Sequence, residues 1–101
     1  MADLYRVKIT LRASIQLQNI FNYIERDSPA NASKMVHRLL ESIDSLDFMP
    51  RRYPLVLNSQ AVGVDVYSMA VRPYLVRYHI DDSESIVTVL SIRHGARQFG
   101  L

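Results

Sequence analysis

The chain has 101 residues, a length that suits one domain and leaves no room for two. Hydrophobic residues make up 49% and charged residues 22%, which excludes a disordered or fibrous protein. Twelve Lys and Arg stand against ten Asp and Glu, and a net charge of +2 is too small to indicate a nucleic-acid partner by itself.

The chain contains no cysteine, which excludes disulfides, cysteine zinc sites and thiol nucleophiles. Its first residues carry no apolar run of the signal-peptide type. No stretch approaches the roughly 18 consecutive apolar residues of a membrane span. We therefore expect one cytoplasmic domain over residues 1–101, with no membrane partner.

The first half of the chain predicts a strand and two helices. Residues 4–11 alternate between apolar and polar side chains, which is typical of a half-buried strand. From residue 12 the apolar spacing becomes helical. Ser28 is typical of an N-cap and Pro29 of a first helical position, so a second helix is predicted to run to about Phe48. The connection between the two predicted helices is so short that they are expected to form an antiparallel hairpin. The apolar stripes of both helices then need a sheet face on which to pack.

The second half predicts strands. Residues 49–61 contain two prolines and are predicted to be a loop that holds no central strand. Three strands are predicted over residues 62–71, 74–80 and 85–93, the last two joined in a hairpin by an acidic turn. The expected fold is α+β, in the order β-α-α-β-β-β, with the helical hairpin packed on one face of a small, mainly antiparallel sheet.

Motifs for a metal or a cofactor are missing. The three histidines lack the spacing of metal ligands, and the three glycines form no phosphate-binding loop, so no metal and no cofactor is expected. Ten of the twelve basic residues are arginines, the side chain suited to bidentate contact with phosphate or carboxylate. A GC-rich genome produces the same bias.

The candidate functional residues form a basic group on the β half of the chain: Arg72, Arg77, His79, Arg93, His94 and Arg97. With the helices on one face of the sheet, Arg77 and His79 are expected on the open face. A histidine with several arginines supplies the acid, base and cation that RNA cleavage needs without a metal. A solvated polar face of a sheet has the same composition, so both interpretations stay open.

Five segments follow one another in an order typical of a known family: residues 13–24, 28–32, 46–50, 72–78 and 89–97. Together they make nearly the whole chain resemble the RelE/ParE superfamily of toxins from bacterial type II toxin–antitoxin systems. The ending His94-Gly-Ala-Arg97 is more similar to the ParE branch.

The resemblance implies a toxin for growth control or plasmid stabilisation, neutralised by a cognate antitoxin whose acidic segment suits the excess of arginine. ParE-like members inhibit DNA gyrase, whereas RelE-like members cut mRNA on the ribosome. This chain has no lysine after Lys34 and no tyrosine after Tyr78, residue types on which RelE-like members rely. The sequence therefore favours a gyrase inhibitor that is not an enzyme.

Two alternatives remain. One is a RelE-like, metal-independent endoribonuclease that cleaves mRNA on the ribosome, with His94 as acid or base and Arg72 and Arg77 on the phosphate. The other is a non-toxic homologue that only binds an antitoxin.

Overall fold

The chain opens with a short strand and two helices. In the computed structural model, which describes residues 4–95, these are β1 (Arg6–Ile9), α1 (Leu11–Glu25) and α2 (Pro29–Asp44). The side-chain oxygens of Thr10 and Ser28 cap the helices by accepting a backbone N–H three residues later. The predicted helical hairpin is confirmed. The second helix ends earlier than predicted, at Asp44, and a 3₁₀ turn continues it.

Five strands form one open sheet. The remaining elements are β2 (Leu55–Leu57), a single helical turn α3 (Ser59–Val62), β3 (Val66–Val71), β4 (Tyr74–Asp81) and β5 (Ile86–His94). The strand order is β1-β5-β4-β3-β2, in which only the β1–β5 pair is parallel. The predicted fold class, a helical hairpin on a mainly antiparallel sheet, is confirmed. Within residues 4–95 no helix has the length and hydrophobicity to cross a bilayer.

The region predicted as a loop contains more structure than expected. Three of its residues form β2 at the edge of the sheet, and its last three residues form α3 together with Val62, so that β3 begins at Val66 and not at residue 62 as predicted. All three side chains of β2 are apolar and exposed, so the segment lacks the alternation that marks a half-buried strand. Pro54 directly precedes β2, a place where a proline interrupts no central ladder.

Both helices pack on the same face of the sheet. Leu39 and Ile43 of α2 are fully buried in one core with Val76 and Tyr78 of β4. The alternate residues of β4 point to the other face, where they are half-buried; we call it the open face. The two-residue period of the strand therefore assigns each candidate side chain to one face or the other.

Candidate functional site

The β4–β5 ladder positions most of the candidate residues. Tyr74 pairs with His94, Leu75 with Arg93, and Arg77 with Ser91. Side chains that oppose each other across antiparallel strands lie on the same face. The register therefore assigns the predicted basic residues to two different surfaces.

His94 lies on the face that the helices cover. Its ring meets the ring of Tyr74 edge to face, with 5.5 Å between the ring centroids. Tyr74 is buried and belongs to the hydrophobic core. His94 is thus half-buried at the border of the core, a position that sequence reasoning did not assign.

Arg77 and His79 lie on the open face, where the alternation of the strand predicts them. Arg77 is half-buried and lines a shallow groove together with Leu75. The Nδ1 atom of His79 is 3.1 Å from the carbonyl oxygen of Asp65, which holds the imidazole against the loop before β3. Arg93 opposes Leu75 and so starts on the same face, although its side chain also reaches the groove between α1 and the end of β5 that is described below.

Arg72 occupies the turn between β3 and β4. It is exposed, and its peptide bond to Pro73 is cis. The Gly95 N–H donates a 2.8 Å hydrogen bond to the Pro73 carbonyl, so this turn adjoins the end of β5. Arg97 lies outside the described residues. The predicted cluster is therefore divided: the sheet separates the side chain of His94 from that of Arg77.

A larger groove, which sequence reasoning missed, lies between α1 and the end of β5. We call it the α1–β5 groove; its volume is about 440 Å³. Its lining residues are Gln16, Asn19, Ile20 and Tyr23 from the helix, and Tyr74, Ile92, Arg93 and His94 from the sheet. None of these side chains is a carboxylate. Residues 16, 19, 20 and 23 have helical spacing and lie on one flank of α1. This spacing is the sequence pattern from which the helical wall of the groove could have been predicted.

The groove exists because β1 is shorter than β5. β1 pairs only with residues 86–89, and the chain then turns into α1 at Thr10. Leu90 is bulged, since Arg77 pairs with Ser91 while the next residue of β4 pairs with Val89. Beyond the bulge, the Oε1 atom of Gln16 accepts a 2.7 Å hydrogen bond from the Ile92 N–H. A side-chain amide thus takes the place of a neighbouring strand.

Arg51 acts at the opposite end of the β4–β5 hairpin, where the two strands are joined by the turn. Arg51 donates two hydrogen bonds to the Asp82 carboxylate, at 2.9 and 2.6 Å, and the Tyr5 hydroxyl donates a third at 2.8 Å. The hydrogen bonds from Arg51 and then Tyr5 lower the pKa of Asp82, and the bond to Asp82 raises the pKa of Arg51. This link ties the start of β1 and the loop before β2 to the hairpin turn.

Arg52 closes the 3₁₀ turn that follows α2. Its guanidinium donates to the carbonyl oxygens of Ser45, Phe48 and Met49, and its carbon lies 4.8 Å from the centre of the Tyr53 ring. A guanidinium carries several N–H donors in a planar fork, so one side chain can satisfy several backbone carbonyls of this turn. Part of the excess of arginine therefore serves the fold.

Tyr78 joins the core to the loop before β2, which contains Pro50. Its hydroxyl donates a 2.6 Å hydrogen bond to the Pro50 carbonyl, and its ring stacks on that of Tyr67 with 5.7 Å between centroids. Burial raises the pKa of Tyr78 to about 12. The hydroxyl is therefore neutral at physiological pH and serves the core as a hydrogen-bond donor.

Comparisons with known proteins agree with one another. The model of the family described as the ParE toxin of type II toxin–antitoxin system, parDE, matches residues 7–99. Toxin RelE2 of Caulobacter vibrioides is 36% identical over 88 residues, which cover 87% of this chain and 92% of the relative. The putative toxin Y4kP of Sinorhizobium fredii is 32% identical and covers 84% of this chain and 85% of its own.

Solved structures share the fold. A chain of the chromosomal ParDE toxin–antitoxin system from P. aeruginosa gives a TM-score of 0.68 at 20% identity, over 90% of this chain and 96% of its own. The RelE–RelB complex of Pyrococcus horikoshii OT3 gives 0.66 at 21% identity, over 93% and 98%. Because both branches appear, the likeness does not separate one target from the other.

Proposed function

Because the chain belongs to the ParE toxin family of type II toxin–antitoxin systems, we propose that it is a ParE-like inhibitor of DNA gyrase. A cognate antitoxin neutralises it. The toxin acts in the cytoplasm, in growth control or plasmid stabilisation, by binding its target rather than by cutting RNA.

One observation supports gyrase rather than mRNA as the target: the residues predicted for an endoribonuclease start from two different faces of the sheet. Cleavage needs an acid or base and a phosphate-binding cation within hydrogen-bond reach of the same phosphate. His94 packs against Tyr74 on the helical side of the sheet, whereas Arg77 lies on the open side. The two side chains start from opposite faces of the sheet, and this supports a function that does not depend on His94, Arg72 and Arg77 acting together on one phosphate.

The test is a supercoiling assay with purified toxin, gyrase and relaxed plasmid. We expect inhibition that rises with toxin concentration and disappears when the antitoxin is added in equal amount. Unimpaired supercoiling at a large excess of folded toxin would contradict the proposal. A parallel measurement follows the integrity of cellular mRNA after the toxin is induced in a bacterial strain. The mRNA should remain intact.

One observation favours the ribosome-dependent nuclease as a second candidate. Arg77 and His79 are neighbours on the open face, with Arg93 on the adjacent strand, so a different acid–base and cation set is available there. This candidate predicts that mRNA is cut on induction and that His79→Ala abolishes the cutting. Expression without antitoxin tests the third candidate, a non-toxic homologue: that candidate predicts normal growth, and growth arrest eliminates it.

A further inference from the structure

We propose that two copies of this chain form a weak homodimer through β2, so that the outer edge of one sheet pairs with the same edge of the other copy. The two strands run antiparallel, with Val56 of one copy opposite Val56 of the other. The inference goes beyond the proposed function and does not depend on whether the target is gyrase or mRNA.

β2 is the last strand on one side of the sheet. Its inner side pairs with β3 through Leu55 and Leu57. Just before the strand, the Pro54 carbonyl accepts a 2.9 Å hydrogen bond from the Ser68 N–H. No strand within residues 4–95 pairs with the outer side of β2. Since an outer strand presents backbone N–H and C=O groups toward a further strand, β2 offers a template for pairing.

Exposed apolar side chains are concentrated around this edge. Of the large apolar side chains that are exposed within residues 4–95, five lie in ten consecutive residues: Leu55, Val56, Leu57, Val62 and Val64. A contiguous group of this kind is typical of a surface that binds another protein, whereas single exposed aliphatic residues are common on any protein. The edge therefore combines backbone hydrogen-bonding groups with side chains that gain from leaving water.

The opposite edge of the sheet carries the protection that β2 lacks. The outer strand there is β1, and two of its four side chains are exposed and basic, namely Arg6 and Lys8. Charged side chains, lysine above all, keep an edge strand from pairing with a copy of itself. By contrast, the sequence has no charged residue between Arg52 and Asp65, a stretch that includes all of β2. Two copies of β2 therefore meet without repulsion.

The charged residues that flank this stretch have partners in their own chain. Arg52 donates to the carbonyl oxygen of Ser45 in the turn after α2. Asp65 accepts a 2.8 Å hydrogen bond from the Ser59 N–H at the start of α3. An acidic segment of another protein is attracted by basic groups, and β2 has none to offer it. An uncharged apolar edge is instead complementary to itself, which a two-fold dimer requires.

The size of the edge determines how strong the dimer is. In antiparallel pairing centred on Val56, Leu55 of one copy lies opposite Leu57 of the other, so three residues of each strand are paired. A standard interface has roughly 20–30 residues on each side, and smaller ones belong to weak complexes. We therefore expect association at roughly micromolar to millimolar concentrations of the toxin.

The test measures the average molar mass of the purified, folded toxin by sedimentation, from about 1 μM to about 1 mM. The mass should rise from that of one chain toward that of two. Val56→Lys places like charges opposite each other and should raise the Kd of the dimer roughly tenfold or more. Ile15→Lys makes a similar change at an exposed position of α1 and, as the matched control, should change the Kd less than about threefold. Thermal melts check that each variant is folded.

A second charge variant tests the antiparallel register. Val56→Glu alone should also weaken the dimer, because its carboxylate faces its own copy. An equal mixture of the Val56→Lys and Val56→Glu toxins should associate again, because opposite charges then face each other. Loss of fold in either variant does not produce this recovery. In hydrogen exchange, the amides of residues 55–57 of the unaltered toxin should be more protected at high concentration than at low concentration.

Several results would overturn the inference. These are a toxin that keeps the mass of one chain up to about 1 mM, Val56→Lys toxin that associates as well as the Ile15→Lys control, and a mixture of the two charge variants that stays monomeric. If the toxin stays monomeric while the antitoxin or gyrase protects the amides of β2, the edge binds that partner and not a second copy.

Discussion

The rings of Tyr74 and His94 meet edge to face, 5.5 Å apart at their centroids, at the pair of residues that ends the β4–β5 ladder. Tyr74 is a core residue, and His94 also lines the α1–β5 groove. The two rings lie on the helical face of the sheet, whereas Arg77 lies on the open face.

We expect the contact between these two rings to stabilise the protein. Aromatic pairs in this geometry contribute about 0.5–1.5 kcal/mol beyond their burial. A double-mutant cycle of His94→Ala, Tyr74→Leu and the double variant, followed by urea unfolding, should give a coupling energy in that range. A coupling energy near zero would mean that the rings are adjacent without stabilising each other.

Tyr78→Phe should lower the free energy of unfolding by about 1–3 kcal/mol, the usual cost of leaving a buried polar group without its partner. The variant keeps the ring that stacks on Tyr67 and removes only the hydroxyl that binds the Pro50 carbonyl. Tyr53→Phe, at a less buried position, is the control and should change stability by less than about 0.5 kcal/mol. The free energies of unfolding of the two variants are measured in urea. If they are equal, the hydrogen bond from Tyr78 to Pro50 does not stabilise the protein.

Arg52→Lys should destabilise the protein although the charge is kept. A lysine ammonium cannot reproduce a planar fork that reaches the carbonyls of Ser45, Phe48 and Met49 together. Hydrogen bonds that involve a charged group contribute about 1.5–3 kcal/mol, so a loss of that order is expected in urea unfolding. Arg38→Lys on the exposed side of α2 is the matched control. A loss as large in the control would point to a general effect of lysine.

The link between Arg51 and Asp82 should make stability depend on acid. Because the folded protein lowers the pKa of Asp82 below its ordinary 3.8, its contribution is present above that value and is lost as pH falls through the folded pKa. Asp82→Asn should therefore melt a few degrees below the unaltered protein at neutral pH, and the difference should close in strong acid. Melting temperatures across pH provide the measurement, with Asp27→Asn as the exposed control. A gap that stays constant down to strong acid would exclude a charge-dependent link.

Short sequence patterns were sufficient to predict much of the fold. Ser28 and Pro29 mark the start of α2 because capping and a fixed φ act within a few residues of the helix end. The alternation of β4 placed Arg77 and His79 on the open face for a similar reason, since a strand has a period of two. β2 escaped prediction because an exposed edge strand buries neither face and so has no alternation to read.

The sequence by itself determined the order of the elements other than β2 and α3, the fold class and the side of β4 on which each residue lies, because these follow from spacing along one segment. The order of five segments along the chain also indicated the family. Only the tertiary structure decided where His94 points and where the α1–β5 groove lies. Strict alternation from the buried Val87 and Val89 would turn His94 outward, but the bulge at Leu90 shifts the strand by one residue and turns Ile92 and His94 toward the helices. The bulge and the early end of β1 depend on pairing between distant strands, which spacing along one segment does not reveal.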